Sequence, residues 1–559
     1  MPPLSDTAAT LTMTGAQAVM DGLLRIGIDC GFGIPSIHNI GLYEALRSTP
    51  AFRHWIVRHE QAAGFAADGY YRRSGRVAAV FASTGPGNLF TLVPLLEALQ
   101  AGTPLLVIGT NIASHLMGKT GGALHETPQQ IEVIRPLTRL ARRVSSADEI
   151  PEIIAAAAGV LYGPNPGPAF IEIPQDILAA PVTASFPNKW RITATEPAPQ
   201  EIAAAGELIA RSRRPVVLVG GGIRTAAEPV QQLAEALQAP IFSTTRGKGA
   251  IASDHPLALG CISRQGLVRE VLDQSDLLIS CGARITEFDT GRFQTRLPVH
   301  HLQIVADRSY PGDRFTATQQ LVGKIEAIAT QLGVQAPSRA SWCDVAGLAA
   351  AEGSRLRALR SDAYAALELL RGALGREDVL VNDQSILNYW ASAFFPVLAQ
   401  GTFLYPLGSG TLGYGLPAAI GAACATQQAG EKRKIVCIAG DGGFQYTLHE
   451  LATLAQYQLP VKILLVNDSA YGIIGFLQRV QFGRTHEVAL QNPDFCRLAE
   501  AYGLRAERAT SLDEFQQRLA GWLDAPGPAL LEWRAELKSP WESGAIPPPS
   551  AQKPARPQN

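Results

Sequence analysis

Asp441 in KIVCIAGDGGF and Asn467 in VKILLVNDSAYG each close an apolar run, so two oxygen acceptors come to one place. Lys434 to Ala439 and Val461 to Val466 read as buried strands, and Thr447 to Gln458 between them carries helix-forming residues with apolar recurrence. Such a strand-helix-strand unit has parallel strands joined by a right-handed crossover. Both carboxyl ends therefore open on one edge of the sheet, where ligands bind. Between the first strand and its helix lies Gly440-Asp441-Gly442-Gly443, whose glycines let main-chain amides approach an anion. One carboxylate, one amide oxygen and a phosphate suit magnesium, a hard cation that takes oxygen ligands.

This Gly-Asp-Gly, with Asn467 following 26 residues after Asp441 (467 − 441), resembles the signature of the thiamin diphosphate (ThDP) enzymes. The resemblance implies that Asp441, Asn467 and the main-chain carbonyl of Ser469 hold Mg²⁺ on the cofactor's diphosphate. It also sets Gly440, Gly442, Gly443, Tyr471 and Gly472 against the cofactor. Asp468 departs from the family, which commonly has a second Asn there; the ligand pattern is untouched.

The elements recur earlier in the chain. VAAVFASTGPGN, LFTLVPLLEALQAG and TPLLVIGTN repeat the order of KIVCIAGDGG, TLHELATLAQYQ and LPVKILLVND. The earlier copy has Gly85-Pro86-Gly87 and no Asp, so it is expected to meet the organic part of the cofactor without a metal. Upstream, His54 to Val57 reads as a short strand, and Arg58-His59-Glu60-Gln61 then leads into a small-residue helix. RHEQAAGFAADGYYRRSG closely resembles the acetolactate synthase group, in which this glutamate hydrogen-bonds the pyrimidine ring of ThDP. Glu60 is then the catalytic carboxylate. The thiazolium C2 proton is weakly acidic, and a charge-assisted hydrogen bond from Glu60 favours the imino tautomer of the aminopyrimidine, whose nitrogen removes that proton. The C2 ylide attacks a 2-oxo acid, CO₂ leaves, and the enamine takes a proton to give an aldehyde or attacks a second carbonyl. PLGSGTLGYGLPAAIGAA resembles the segment that bends ThDP, with Leu412 as the apolar wedge, often Met in the family, and Gly410 as a main-chain contact. Pro35, Pro86 and Gly87 complete the expected cofactor contacts.

A chain of 559 residues is long enough for several cores. The fold expected is α/β with three doubly wound parallel-sheet domains. They are an N-terminal pyrimidine-binding domain over 1–185, a central Rossmann-like domain over 190–340 and a C-terminal diphosphate-binding domain over 350–540. A Pro-, Ser- and Lys-containing tail over 541–559 is expected to be disordered. In the central domain, Gly220-Gly221-Gly222 reads as a tight turn into a helix rather than a nucleotide site. Acetolactate synthases hold a non-redox FAD in this domain, but their Arg-Phe-Asp-Asp-Arg stretch is not matched by Arg284-Ile285-Thr286-Glu287-Phe288.

Net charge of −1 with mixed signs gives no electrostatic case for nucleic acid or membrane surfaces. No apolar run reaches a membrane span, and MPPLSDTAATLTMTG lacks the pattern of a secretion signal, so a cytoplasmic protein is expected. The seven cysteines are scattered without metal spacing and read as reduced core residues.

Substrate selection is expected from His38 in GIPSIHN, from His125 in GGALHETPQQ, and from Ile474, Phe476 and Leu477 in YGIIGFLQRVQFG. Acetolactate synthases usually carry Gln where the resemblance sets His125. A histidine there can pass protons, which favours aldehyde release and makes His125 a second catalytic candidate. The reading is a ThDP- and Mg²⁺-dependent, acetolactate synthase-like enzyme acting on a 2-oxo acid, with an aldehyde or second 2-oxo acid as possible acceptor. The resemblance also implies a homodimer or homotetramer whose active site draws Glu60 from one chain and Asp441 and Asn467 from another. Simple decarboxylation is the alternative within this chemistry. A flavin or nicotinamide oxidoreductase, or a non-catalytic ThDP-binding subunit, are the alternatives outside it.

Overall fold

The computed structural model describes residues 11–184, 186, 195–309, 315–337 and 339–547. Their backbone builds three six-stranded sheets in which every strand runs parallel to its neighbours. Strands such as Ala79–Ala82, Leu106–Asn111 and Val461–Asn467 are buried at every position. Their mostly apolar runs, buried on both faces, suit a sheet covered on both sides, as parallel sheets are.

In chain order the N-terminal sheet uses Cys30–Gly33, Arg53–Ile56, Ala79–Ala82, Leu106–Asn111, Leu140–Arg143 and Ala169–Pro174. They lie across it in the order second, first, third, fourth, sixth, fifth. The C-terminal sheet uses Val379–Asn382, Phe403–Leu404, Ile435–Gly440, Val461–Asn467, Arg505–Ala509 and Ala529–Arg534, in the identical spatial order. The repeat seen in the sequence therefore extends to whole sheets. In both, winding reverses between the first and third strands, which opens a crevice beyond their carboxyl ends. That crevice receives the residues after Gly33 and Ala82 in one copy, and after Asn382 and Gly440 in the other. The central sheet, starting with Pro215–Val219, has the order third, second, first, fourth, fifth, sixth.

The described residues form two compact units. One joins the N-terminal sheet to Pro406–Lys432 and Thr447–Leu459; the other holds the central and C-terminal sheets. Within the first, helix Glu60–Ser74 crosses helix Gly415–Gln428 at small residues. A Cβ on Gly69 would overlap the Ala418 carbonyl, and one on Gly421 the Ala66 carbonyl, so both glycines are required by the crossing. Tyr70 donates to Gln428 Oε1 at 3.0 Å beside it.

Within the second unit, the buried Lys248 ammonium donates to the carbonyls of Ala391 (3.2 Å) and Ser392 (3.0 Å). Arg264 donates to those of Ala393 (2.8 Å) and Phe394 (3.3 Å). Two cations thus satisfy the carboxyl end of helix Ile386–Phe394, where the helix dipole is negative. Burial lowers the Lys248 pKa to about 7.

All seven cysteines are free and five are buried, as expected of core residues. No helix among the described residues is long and apolar enough to cross a membrane. The tail expected from 541 is described as far as 547, and Ala545 and Ile546 are buried in the C-terminal core rather than loose. Residues 548–559 lie outside the described residues.

Candidate active site

In the second unit, strand Ile435–Gly440 turns at Gly440 into the short helix Asp441–Phe444. Strand Val461–Asn467 pairs beside it with Gly440 level with Val466, which brings Asp441 and Asn467 side by side at the carboxyl edge. Both are buried. The amide nitrogen of Asn492 donates to Asp441 Oδ2 at 2.6 Å and to Asn467 Oδ1 at 3.0 Å, so the two oxygens converge on one electropositive point. Asn492 is itself steadied by Gln445, whose amide donates to its Oδ1 at 3.0 Å.

After Asn467 the chain makes a tight turn with Ser469 in the left-handed region (φ 53°). The Ser469 amide donates back to Asn467 Oδ1 at 3.1 Å, and its carbonyl accepts from Leu490 N at 2.7 Å, leaving a second lone pair. Burial raises the Asp441 pKa against the opposing pull of Asn492 and nearby amides. Burial and the neighbouring Asp441 charge push Asp468 up to about 7. Two carboxylates in one buried corner, with an amide oxygen and a carbonyl close by, form a hard-oxygen donor set deficient in positive charge. These residues fit Mg²⁺. Tyr471 lies against Gly442, where a Cβ would stand 2.6 Å from its ring, and Gly472 leaves room for the Asp468 carboxylate. A cavity of about 380 Å³ opens here, lined among others by Asn467, Asp468, Ser469, Asn492 and Arg534. On helix Gly472–Phe482, Ile474 is exposed and Leu477 half-buried, whereas Phe476 is buried and serves packing.

In the first unit, strand Arg53–Ile56 leads to Glu60 at the start of helix Glu60–Ser74, whose first amides are met by the His59 side chain accepting from Gln61 N at 3.2 Å. Glu60 is half-buried. A Cβ on Gly87 would stand 2.8 Å from Glu60 Oε1, so Gly87 makes room for this carboxylate. Gly85 takes φ 65°, its amide donates to Gln130 Oε1 at 2.7 Å, and a Cβ there would meet the His125 carbonyl at 2.5 Å. The His125 loop therefore lies over the Gly85-Pro86-Gly87 turn, with Glu60 beneath Gly87. His125 is exposed with φ 64°, and its ring centroid lies 5.2 Å from that of His38. His38 is buried with Nδ1 unpartnered among the described residues. Burial first, then His125, lowers the His38 pKa. Pro35 is exposed in the same loop.

The expected wedge segment also belongs to this unit. Gly410 (φ 68°) and Gly413 (φ 79°) shape the turn and Leu412 is half-buried between them. Buried Glu97 accepts from Gly408 N (2.9 Å), Ser409 N (2.6 Å) and Arg72 (2.9 Å), while Asp68 accepts from Arg72 (3.2 Å) and Tyr414 (2.7 Å). The wedge loop is thereby tied by hydrogen bonds to two helices, through carboxylates that share the Arg72 guanidinium.

At the central sheet, glycines serve close approach of strand ends. A Cβ on Gly220 or Gly247 would overlap the Gly282 or Val219 carbonyl. The amides of Gly220, Gly222, Thr245 and Gly247 are already donated, to Cys281, Gly282, Asp289 and Thr244. The turn reading of Gly220-Gly221-Gly222 accounts for them.

Asn492, Glu97, Gln130 and Glu532 escape a reading of the sequence. Glu97 in LLEALQ and Glu532 in ALLEWR carry one available signal, a charge inside an apolar run. Asn492 carries none, because only the fold brings it to Asp441.

A carboxyl-edge Asp and Asn beside a glycine turn, with the strand order and glycine turn repeated on a second sheet that carries a glutamate, mark a thiamine pyrophosphate enzyme. Models of that family match residues 13–133 (N-terminal TPP binding domain), 202–332 (central domain) and 384–533 (C-terminal TPP binding domain). The chain belongs to this family and is a TPP-dependent enzyme of its acetolactate synthase and decarboxylase branch. It is 34% identical over 541 residues to a probable 2-ketoarginine decarboxylase of Pseudomonas aeruginosa, covering 94% of each chain. It is 32% identical to an acetolactate synthase large subunit of Mycobacterium tuberculosis (89% of this chain, 84% of the relative). To a probable acetolactate synthase large subunit of Methanocaldococcus jannaschii it is 29% identical (93% and 91%).

Proposed function

We propose that the protein is a Mg²⁺-assisted ThDP enzyme that removes CO₂ from a 2-oxo acid. The observation that carries this reading is the convergence of the Asp441 and Asn467 oxygens on the Asn492 amide nitrogen. Asp441, Asn467 and the Ser469 carbonyl would hold Mg²⁺; Gly440, Gly442, Gly443, Tyr471 and Gly472 would line the diphosphate, and Leu412 with Gly410 the ring system. When bound, ThDP would supply a carbon nucleophile on a cationic ring that takes up the electron pair released with CO₂. Glu60 holds a proton at the ring nitrogen of the aminopyrimidine, in the space that Gly87 leaves. A chain that keeps this carboxylate favours catalysis over a mere binding subunit. The donated amides of the central sheet argue against a flavin or nicotinamide oxidoreductase.

Aldehyde release is favoured by the neighbouring rings of His38 and His125, since an imidazole beside the reacting carbon can deliver the proton that releases an aldehyde. The relative named a 2-ketoarginine decarboxylase supports the same outcome. Carboligation to a hydroxy ketone or acetohydroxy acid is the second reading, supported by relatives named acetolactate synthase. The three sheets support three domains, and we take the assembly to be a homodimer or homotetramer. The test is incubation with ThDP, Mg²⁺ and a panel of 2-oxo acids, a guanidino 2-oxo acid included, with and without aldehyde acceptors. Aldehyde and CO₂ alone identify a decarboxylase and a coupled product a carboligase; no Glu60-dependent turnover on any donor defeats the proposal.

A further inference from the structure

Asn467 has a side chain with two ends of nearly equal shape and opposite chemistry, and only its oxygen can serve a cation. What decides its orientation lies on the next strand. Glu532, on Ala529–Arg534, is fully buried, and its Oε1 accepts from Asn467 Nδ2 at 2.7 Å. An ionised carboxylate only accepts, so the NH₂ end of the amide must turn toward Glu532 and the oxygen away from it, toward Asn492 and Ser469 N.

The charge this requires is held in place by two guanidiniums. Arg534 Nε meets Glu532 Oε1 at 2.9 Å, and Arg508 Nε meets Oε2 at 2.6 Å. Arg508 also bonds Asp494 at 2.6 Å, two residues beyond Asn492, tying the same network to the loop that carries the converging amide. Asp494, Cys496 and Glu532 lie close enough together to pass for a metal cluster of their own, but the arginines already occupy both carboxylates.

We propose that Glu532 is a positioning residue of the metal site, holding the Asn467 amide with its oxygen toward the cation. Its charge and burial serve ligand orientation, and it never touches metal or cofactor itself. The proposal rests on the Mg²⁺ reading above.

The test measures Mn²⁺ affinity, by the electron paramagnetic resonance signal of the free ion, in full-length protein with saturating ThDP. Wild type is expected to bind and Asp441→Ala to lose binding; no wild-type binding overturns the site reading and this proposal together. Glu532→Gln is expected to weaken Mn²⁺ by about 10-fold or more, as loss of an orienting partner does. Arg534→Gln, which removes one of the two guanidiniums that hold the Glu532 charge but leaves Arg508 and the Asn467 contact, is expected to lose clearly less affinity than Glu532→Gln. In the double variant Asn467→Asp/Glu532→Gln the ligand has no wrong way round, and total charge beside the arginines is kept, so affinity should return. Asn467→Asp alone sets two carboxylates face to face and should gain nothing. An unchanged Glu532→Gln, an equal loss in Arg534→Gln, or no recovery in the double variant overturns the proposal with the site reading intact. If Glu532→Gln does not fold, the double variant decides against Asn467→Asp: matching or exceeding it upholds the proposal, and falling below it overturns it.

Discussion

Glu60 and Gly87 show how one missing methyl leaves room for a carboxylate, the one proposed to act on the cofactor. Replacing Glu60 by Gln keeps shape and the room beside Gly87, but removes the charge that holds the cofactor proton. Turnover is expected to fall by about 10²–10³-fold with an unchanged melting temperature, checked by steady-state rates and thermal melts. Asp441, Asn467 and Glu60 are legible in the sequence because each sits where an apolar run stops, and run ends mark sheet edges. Asn492 and Gln130 are not, since each reaches its partner from far along the chain, Asn492 from a loop and Gln130 from the start of the short helix Gln130–Ile134. Glu532 is half legible: a charge inside ALLEWR announces a buried function, but not which residue it serves.

At the level of elements, the repeat is legible in the glycine turns and strand runs, and the sheets extend it to a common strand order. The crossing of Glu60–Ser74 with Gly415–Gln428 is hidden, because small residues in both helices carry no amphipathic stripe. Gly421→Val would drive a branched side chain into the Ala66 carbonyl. A loss of about 3 kcal/mol or more is expected from urea unfolding. Two strands carry histidines out of full contact with water, half-buried His54 and buried His301, each lowered by desolvation from 6.5 to about 4. The unfolded chain therefore takes their protons first, so stability is full above pH 6.5 and falls as pH drops toward 4. About 2 kcal/mol per histidine should be lost between pH 7 and pH 5. The urea midpoint at the two pH values checks this, and His54→Phe should flatten the fall by its own share.

For the whole molecule, the proposed assembly makes a sharp demand. If Glu60 serves a cofactor held by another chain's Asp441 and Asn467, Glu60→Gln and Asp441→Ala chains are each inactive alone. Co-expressed as a randomly mixed dimer, they regain one intact site per heterodimer, about a quarter of wild-type activity. Activity at background in the purified heterodimer would mean that each site is completed within one chain.

The two compact units also cut across the order of the chain. Helix Glu60–Ser74 leaves the ribosome early, yet the Gly415–Gln428 helix that covers its small-residue face belongs to the same unit and is made some 340 residues later. At bacterial-to-eukaryotic synthesis rates that interval lasts roughly 20–70 s. For that time the small-residue face of the Glu60–Ser74 helix lacks its cover, and apolar surface exposed in this way makes a chain prone to aggregate while it is still being made.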